Sequence, residues 1–192
     1  MANKTEFKKR PVAERMFAVE YKDSSHTEKD ESDLKSPRYV ITPLGLEVNR
    51  VFIVGTLMKR EQGKDKNGNV FYKAVVLDGT GTYFLSANSF DKDGMNQISM
   101  IDVSESLKVV AVIGKVAVNK TEEGRVYRQV RIESITESNL ETRNMWILET
   151  AKLTSERMKN VRNGDVAKVK KYYEKVDTTK YEESIMELLN TF

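Results

Sequence analysis

Apolar and polar positions change rhythm several times along the chain. Over residues 11–22, Ala13, Phe17 and Tyr21 recur at a four-residue step, widened by Val12, Met16 and Val19. With Pro11 suited to the first turn, this predicts a short amphipathic helix. Residues 23–36 are rich in Ser, Asp, Glu and Lys and poor in large apolar side chains, the composition of a loosely held polar linker. From Arg38 onward, short runs of β-type residues come at even spacing. They predict strands over residues 48–58, 70–77, 82–88, 107–118 and 126–135. Asn67-Gly68 supplies a tight turn within the loop 63–69, Asp78-Gly79-Thr80-Gly81 a second, and the polar stretch 119–124 a third. Gly55 falls inside the first strand, where a missing side chain permits a sharp bend.

Residues 90–101 form a longer connection with room for a short helix. Five strands with such a connection only between the third and the fourth follow the element order of an OB-fold barrel. An SH3-like barrel would not place the long connection there. The rest of the chain reads as helix. Ile147, Ala151, Thr154, Met158 and Val161 form a stripe over residues 140–163, and Gly164 is placed to end it. Asp165 is placed to cap a shorter helix with Val166, Val169, Tyr172 and Tyr173. Thr179 and Glu182 have the spacing of a capping box for a last helix bearing Tyr181, Ile185, Leu188 and Leu189. The expectation is a mainly β protein with helical extensions: an N-terminal helix and polar linker over 1–36, a five-stranded OB-fold barrel over 37–138, and a C-terminal helical segment over 139–192.

Composition narrows the chemistry. A chain of 192 residues, 39% hydrophobic and 32% charged, holds one sizeable core, and no apolar run approaches the roughly 18 residues of a membrane span. The first ten residues lack the apolar stretch of a secretory signal, so a cytoplasmic location is expected. There is no cysteine, and the single histidine, His26, sits beside Ser24, Ser25 and Thr27, where an exposed loop is expected. A structural zinc, a thiolate nucleophile and a serine triad each lack their parts, and no Gly-rich phosphate loop or metal-carboxylate motif is present. No enzymatic activity, metal or cofactor is expected. The net charge of +3 says little about partners, although residues 152–180 carry an excess of Lys and Arg.

Strand alternation sorts the barrel residues. With Tyr72, Ala74, Val76, Tyr83, Leu85 and Ala87 inward, Phe71, Lys73, Phe84 and Ser86 point outward on neighbouring strands. An OB barrel uses this face, between the first and last hairpin loops, to bind single strands: cations follow the phosphates and flat side chains stack on the bases. Lys59, Arg60, Lys64 and Lys66 load the first loop, and Lys115, Lys120, Arg125 and Arg128 the second, with Tyr127 as a further stacking candidate. Glu61, Asp65, Glu122 and Glu123 are interleaved and oppose phosphate binding. The alternative for Phe71 and Phe84 is ordinary packing beneath a terminal helix, and a one-residue error in register would exchange the two faces.

Several segments together resemble the archaeal family of replication protein A-associated proteins. They are Arg10-Pro-Val-Ala-Glu-Arg-Met-Phe-Ala-Val-Glu-Tyr21, Pro37-Arg-Tyr-Val-Ile-Thr-Pro-Leu-Gly45 leading into Val48-Asn-Arg-Val-Phe-Ile-Val-Gly-Thr-Leu57, Asp78-Gly-Thr-Gly81, Val110-Ala-Val-Ile-Gly-Lys115, Val130-Arg-Ile-Glu-Ser-Ile135, and residues 143–150 around Trp146. They follow the family's order over residues 10–160, whereas the tail beyond Val161 has no counterpart. Two departures, Gly79 and Ile132, stand where the family often has Pro, as changes at a turn and a strand edge. The resemblance implies an OB-fold subunit or accessory acting with replication protein A subunits and single-stranded DNA in replication, repair or recombination. A helix that follows the barrel assembles subunits in replication protein A complexes, so by analogy the stripe Ile147, Ala151, Thr154, Met158 and Val161 is a candidate surface for homo- or hetero-oligomers. Its alternative is packing on its own barrel, with Trp146 as the anchor. A protein-interaction module with a filled groove and an RNA-binding OB protein are the competing functions.

Overall fold

The computed structural model describes residues 10–33, 36–104 and 106–192; the stretch 1–9, read above for a targeting signal, lies outside the described residues. Five antiparallel or parallel-paired strands close a barrel: β5 (Arg50–Lys64), β6 (Val70–Leu77), β7 (Thr82–Ala87), β8 (Lys108–Lys120) and β9 (Val126–Glu137). Their order is β5-β6-β7-β9-β8, with β5 returning to β8 and β7 running parallel to β9. This is the closed Greek-key order of an OB-fold. The strand β1 (Ala13–Glu14) joins the edge of β5 in parallel. The helix α2 (Lys92–Met100) lies in the connection between β7 and β8, where the long insert was expected. Its Gly94 approaches β9 so closely that a Cβ there would sit 2.6 Å from the Ile132 carbonyl oxygen.

The strands alternate as expected. Tyr83, Ala87, Val76 and Ile53 are fully buried in the barrel. One irregularity changes what the alternation delivers. Between Leu57 and Lys59 the pairing with β6 slips, so that Leu57 opposes Val76 and Lys59 opposes Val75, leaving Met58 as the extra residue of a bulge. A bulge reverses the faces of everything beyond it. Odd-numbered residues of β5 point inward up to Leu57, whereas Lys59 and Glu61 share the outer face with Val75 and Lys73. A second slip leaves Glu133 unpaired opposite β8 and keeps both Ile132 and Ile135 in the core, so Ile132 is a central barrel residue and not a strand-edge one.

The expected N-terminal helix is present but shorter than its apolar step suggests. Only Ala18–Asp23 is helical (α1), preceded by β1, because Met16 and Phe17 are buried in an extended stretch and not on a helix face. Asp78 holds the helix start. Its Oδ2 accepts the Ala18 N–H at 2.7 Å, and Oδ1 accepts from the backbones of Thr80 and Gly81. Within the polar stretch, residues 23–28 are also more ordered than their composition suggests. There β2 (His26–Glu28) pairs with β3 (Tyr39–Ile41), which pairs with β4 (Glu47–Val48) in a small second sheet. His26 is therefore not on a free loop: its ring lies between Tyr172 and Tyr173, at centroid distances of 5.2 and 5.1 Å.

The C-terminal helices α3 (Leu140–Arg162), α4 (Ala167–Tyr172) and α5 (Thr179–Leu189) pack back onto the barrel. Trp146 donates its indole N–H to the Phe52 carbonyl at 2.9 Å and meets the Phe17 ring edge-on, 5.5 Å between centroids. The stripe proposed for a partner is used inside the chain. Ile147, Ala151, Thr154 and Met158 are buried and Val161 is partly buried, the apolar members packing in a second core with Leu44, Val54, Tyr181, Ile185 and Leu188. Beneath it, fully buried Glu20 accepts from Thr42 Oγ1 and from Arg157 Nη2, each at 2.7 Å. Two expected caps do not form. Val166 and not Asp165 occupies the cap of α4, and Thr178 precedes α5, where Arg162 donates to both Thr178 Oγ1 and Glu182. Gly79 adopts φ +104° with Leu188 directly against it, a conformation and a contact that proline would forbid.

Candidate nucleic-acid interface

A groove of about 990 Å³ runs over the outer face of β5, β6 and β7, closed on one side by α1 and on the other by the start of β9. The strand register arranges the outer face beneath it in rows. Lys59, Val75 and Phe84 face outward side by side across three strands, and Glu61, Lys73 and Ser86 form the next row. Phe84 is 58% exposed, although a phenyl ring of its size gains free energy by burial. Tyr127, at 55% exposure, stands on the β9 side. The apolar floor continues through Val19, Val75 and Val126. Around it lie the cations Lys22, Lys59, Lys73 and Arg128.

The wall contributed by α1 is fixed to the barrel. The Tyr21 hydroxyl lies 2.8 Å from the Ala117 carbonyl oxygen and 2.9 Å from that of Gln129, bridging β8 and β9, and burial pushes its ionisation well above the usual tyrosine range. It therefore stays a neutral donor. Arg128 donates from Nε to the Ser24 carbonyl at 2.7 Å, which holds the guanidinium at the end of the groove. Sequence reasoning missed Lys22 and Val19 because the N-terminal helix carries them, and nothing in the strand pattern says where that helix docks.

The groove gathers Lys59, Lys73, Phe84, Tyr127 and Arg128 from the expected set. Other candidates go elsewhere. Arg60, turned by the bulge away from the groove, donates from Nη1 to the carbonyls of Ile98, Ser99 and Ile101 and so caps the end of α2. Lys115 sits in mid-strand between Arg50 and Arg131, away from the loop it was assigned to. Phe71 shares the outer face of β6, but its ring lies over Gly63, with Lys73 Nζ 5.5 Å from the ring centre, beyond the groove lining. Ser86 is on the same face and also outside the lining. Lys64 and Lys66 are exposed at the tip of the β5–β6 hairpin, and Arg125 is exposed in the β8–β9 turn with Glu123 at 3.4 Å. These cations flank the groove and do not line it.

No protein-family model matches the chain, and no curated protein matches it either. Solved structures are similar at low identity. A chain of a replication protein A heterotrimer bound to single-stranded DNA is 15% identical, with a TM-score of 0.45, over 77% of this chain and 98% of that one. A chain from the yeast Stn1 and Ten1 structure is 12% identical, with a TM-score of 0.45, over 71% and 91%. The mitochondrial single-stranded DNA-binding protein Rim1 of S. cerevisiae is 14% identical, with a TM-score of 0.36, over 46% and 92%. The OB-fold assignment rests on strand order and closure. No helix among the described residues is long and apolar enough to cross a membrane.

Proposed function

We propose that the protein binds single-stranded DNA along the β5–β6–β7 groove, as a non-enzymatic subunit or accessory of a single-stranded DNA-binding assembly. The observation that carries this reading is the exposed Phe84 ring, flanked in one groove by Tyr127 and by Lys22, Lys59 and Lys73. Each base stacked on an aromatic side chain contributes about 1–3 kcal/mol, and unpaired bases are the partners that accept such stacking without regard to sequence. Cooperation with replication protein A in replication, repair or recombination, and an archaeal and cytoplasmic setting, are the finer parts of the proposal; the sequence segments around the barrel support the cooperation and the archaeal setting. Binding of a labelled oligothymidine, followed by anisotropy at two salt concentrations, tests the reading. The expected result is saturable binding that weakens steeply with salt and resists competition by an RNA of equal sequence. No binding at low salt would overturn it.

A second reading has an observation of its own. Between α3 and α5 a cleft of about 420 Å³ is edged by Leu148 and Met186, both more than half exposed, and by Lys152 and Lys159. That surface suits a protein partner, as in a scaffold with little direct DNA binding. Recovery of a large single-stranded DNA-binding subunit with the tagged chain from its native cells, undiminished by Phe84→Ala, would favour it.

A further inference from the structure

Among the described residues that line the groove, Glu61 is the one carboxylate. Its Oε1 lies 2.6 Å from Lys59 Nζ on the same strand and face, and it stands directly opposite Lys73 on β6. Without the bulge at Met58, Lys59 and Glu61 would point to the other side of the sheet. The same irregularity therefore delivers both the cation and its competitor to the groove. Lys59 and Glu61 are each more than half exposed, and exposed pairs of this kind do little for the fold. Their placement matters for whatever enters the groove.

We propose that Glu61 is a built-in competitor for the phosphates of the bound strand, occupying Lys59 and screening Lys73 so that a strand must displace it to enter. The inference rests on the single-stranded DNA reading and adds what sets its strength. Lys59 and Lys73 hold the Glu61 carboxyl below the usual carboxylate range, so it is charged at neutral pH. An incoming phosphate meets a cation already neutralised and a negative charge beside it. The consequence is moderate affinity with ready release.

The experiment is a salt series of oligothymidine binding for the wild-type protein, Glu61→Gln, Lys59→Ala and the double variant. Glu61→Gln is expected to bind about fivefold more tightly at low salt, with the slope of log K against log salt steeper by about 0.7, the increment for one further neutralised phosphate on a single strand. Lys59→Ala is expected to cost more affinity in the Glu61→Gln background than in the wild type, because the lysine becomes available only once its partner is removed. Unchanged thermal stability of Glu61→Gln separates this from a structural effect. Binding by the wild-type protein with an unchanged or weaker Glu61→Gln variant, or strictly additive losses, overturns the inference alone. Absence of binding by every variant removes the nucleic-acid reading, and the inference with it.

Discussion

Two outer faces of one barrel meet different fates, and a single strand supplies both. The first half of β5 sends Phe52, Val54 and Thr56 outward beside Val109, Ala111 and Ile113 of β8. That patch is apolar, and α3 covers it through Trp146 and Ile147. Past the bulge, the second half of β5 sends out Lys59 and Glu61 beside Val75, Lys73 and Phe84, and the C-terminal helices leave that face uncovered. An outward aromatic is ordinary packing where the chain brings its own cover. Where the chain instead rings it with cations, the face stays open, and that openness is what the proposed single-strand site rests on.

Substitutions on the two faces should separate stability from binding. The largest effects belong to the covered face. Trp146→Ala should destabilise the protein by about 3–5 kcal/mol in denaturant unfolding, through lost burial and a residual cavity. Arg157→Ala should cost a similar amount, about 3–5 kcal/mol, because it leaves the buried Glu20 carboxylate without its cation. Neither should alter oligothymidine affinity under conditions where the variant is folded. If Trp146→Ala weakened binding as strongly as it weakened folding, the faces would not be independent.

Phe84→Ala should behave in the opposite way. It should leave unfolding almost unchanged and cost about 1–3 kcal/mol of binding free energy in an anisotropy titration, the range for one stacked base. Phe71→Ala should cost less, since its ring already rests on Gly63 outside the groove. The smallest effect is local. Lys168, Lys171 and Tyr172 hold the Glu28 carboxyl down to about 2, below its ordinary 4.5. A carboxyl depressed by folding contributes stability that is complete above its ordinary range and fades as pH falls towards the depressed value. The protection factors of the α4 amides should therefore fall between about pH 4.5 and 2 while those of the barrel hold, and Glu28→Gln should abolish that step.

Much of the barrel was legible because strand periodicity is a direct consequence of one-sided burial. The strand over 70–77 and the helix from Leu140 match the structure closely, and the inward set from Tyr72 to Ala87 is as the alternation predicts. What escaped has physical causes. The bulge at Met58 has no glycine or proline to announce it, so Arg60 was assigned to the groove when it caps α2. The docking of α1 depends on Asp78, sixty residues away, and so Lys22 was invisible as a groove residue. Composition misread residues 26–28, because their order comes from pairing with β3 and from Lys168 and Lys171 gripping Glu28. The helix stripe was legible but its neighbour was not: of the two alternatives, a partner or its own chain, the structure shows the second, because a period shows that a face is buried and not what buries it.

Backbone amide shifts of the isotopically labelled protein, recorded as oligothymidine is added at low salt, address both faces in one titration. The account predicts that perturbations concentrate at Lys59, Lys73, Val75, Phe84 and Tyr127, while α3 and α5 stay still. Shifts centred on Leu148, Lys152 and Met186, or none anywhere, would contradict it.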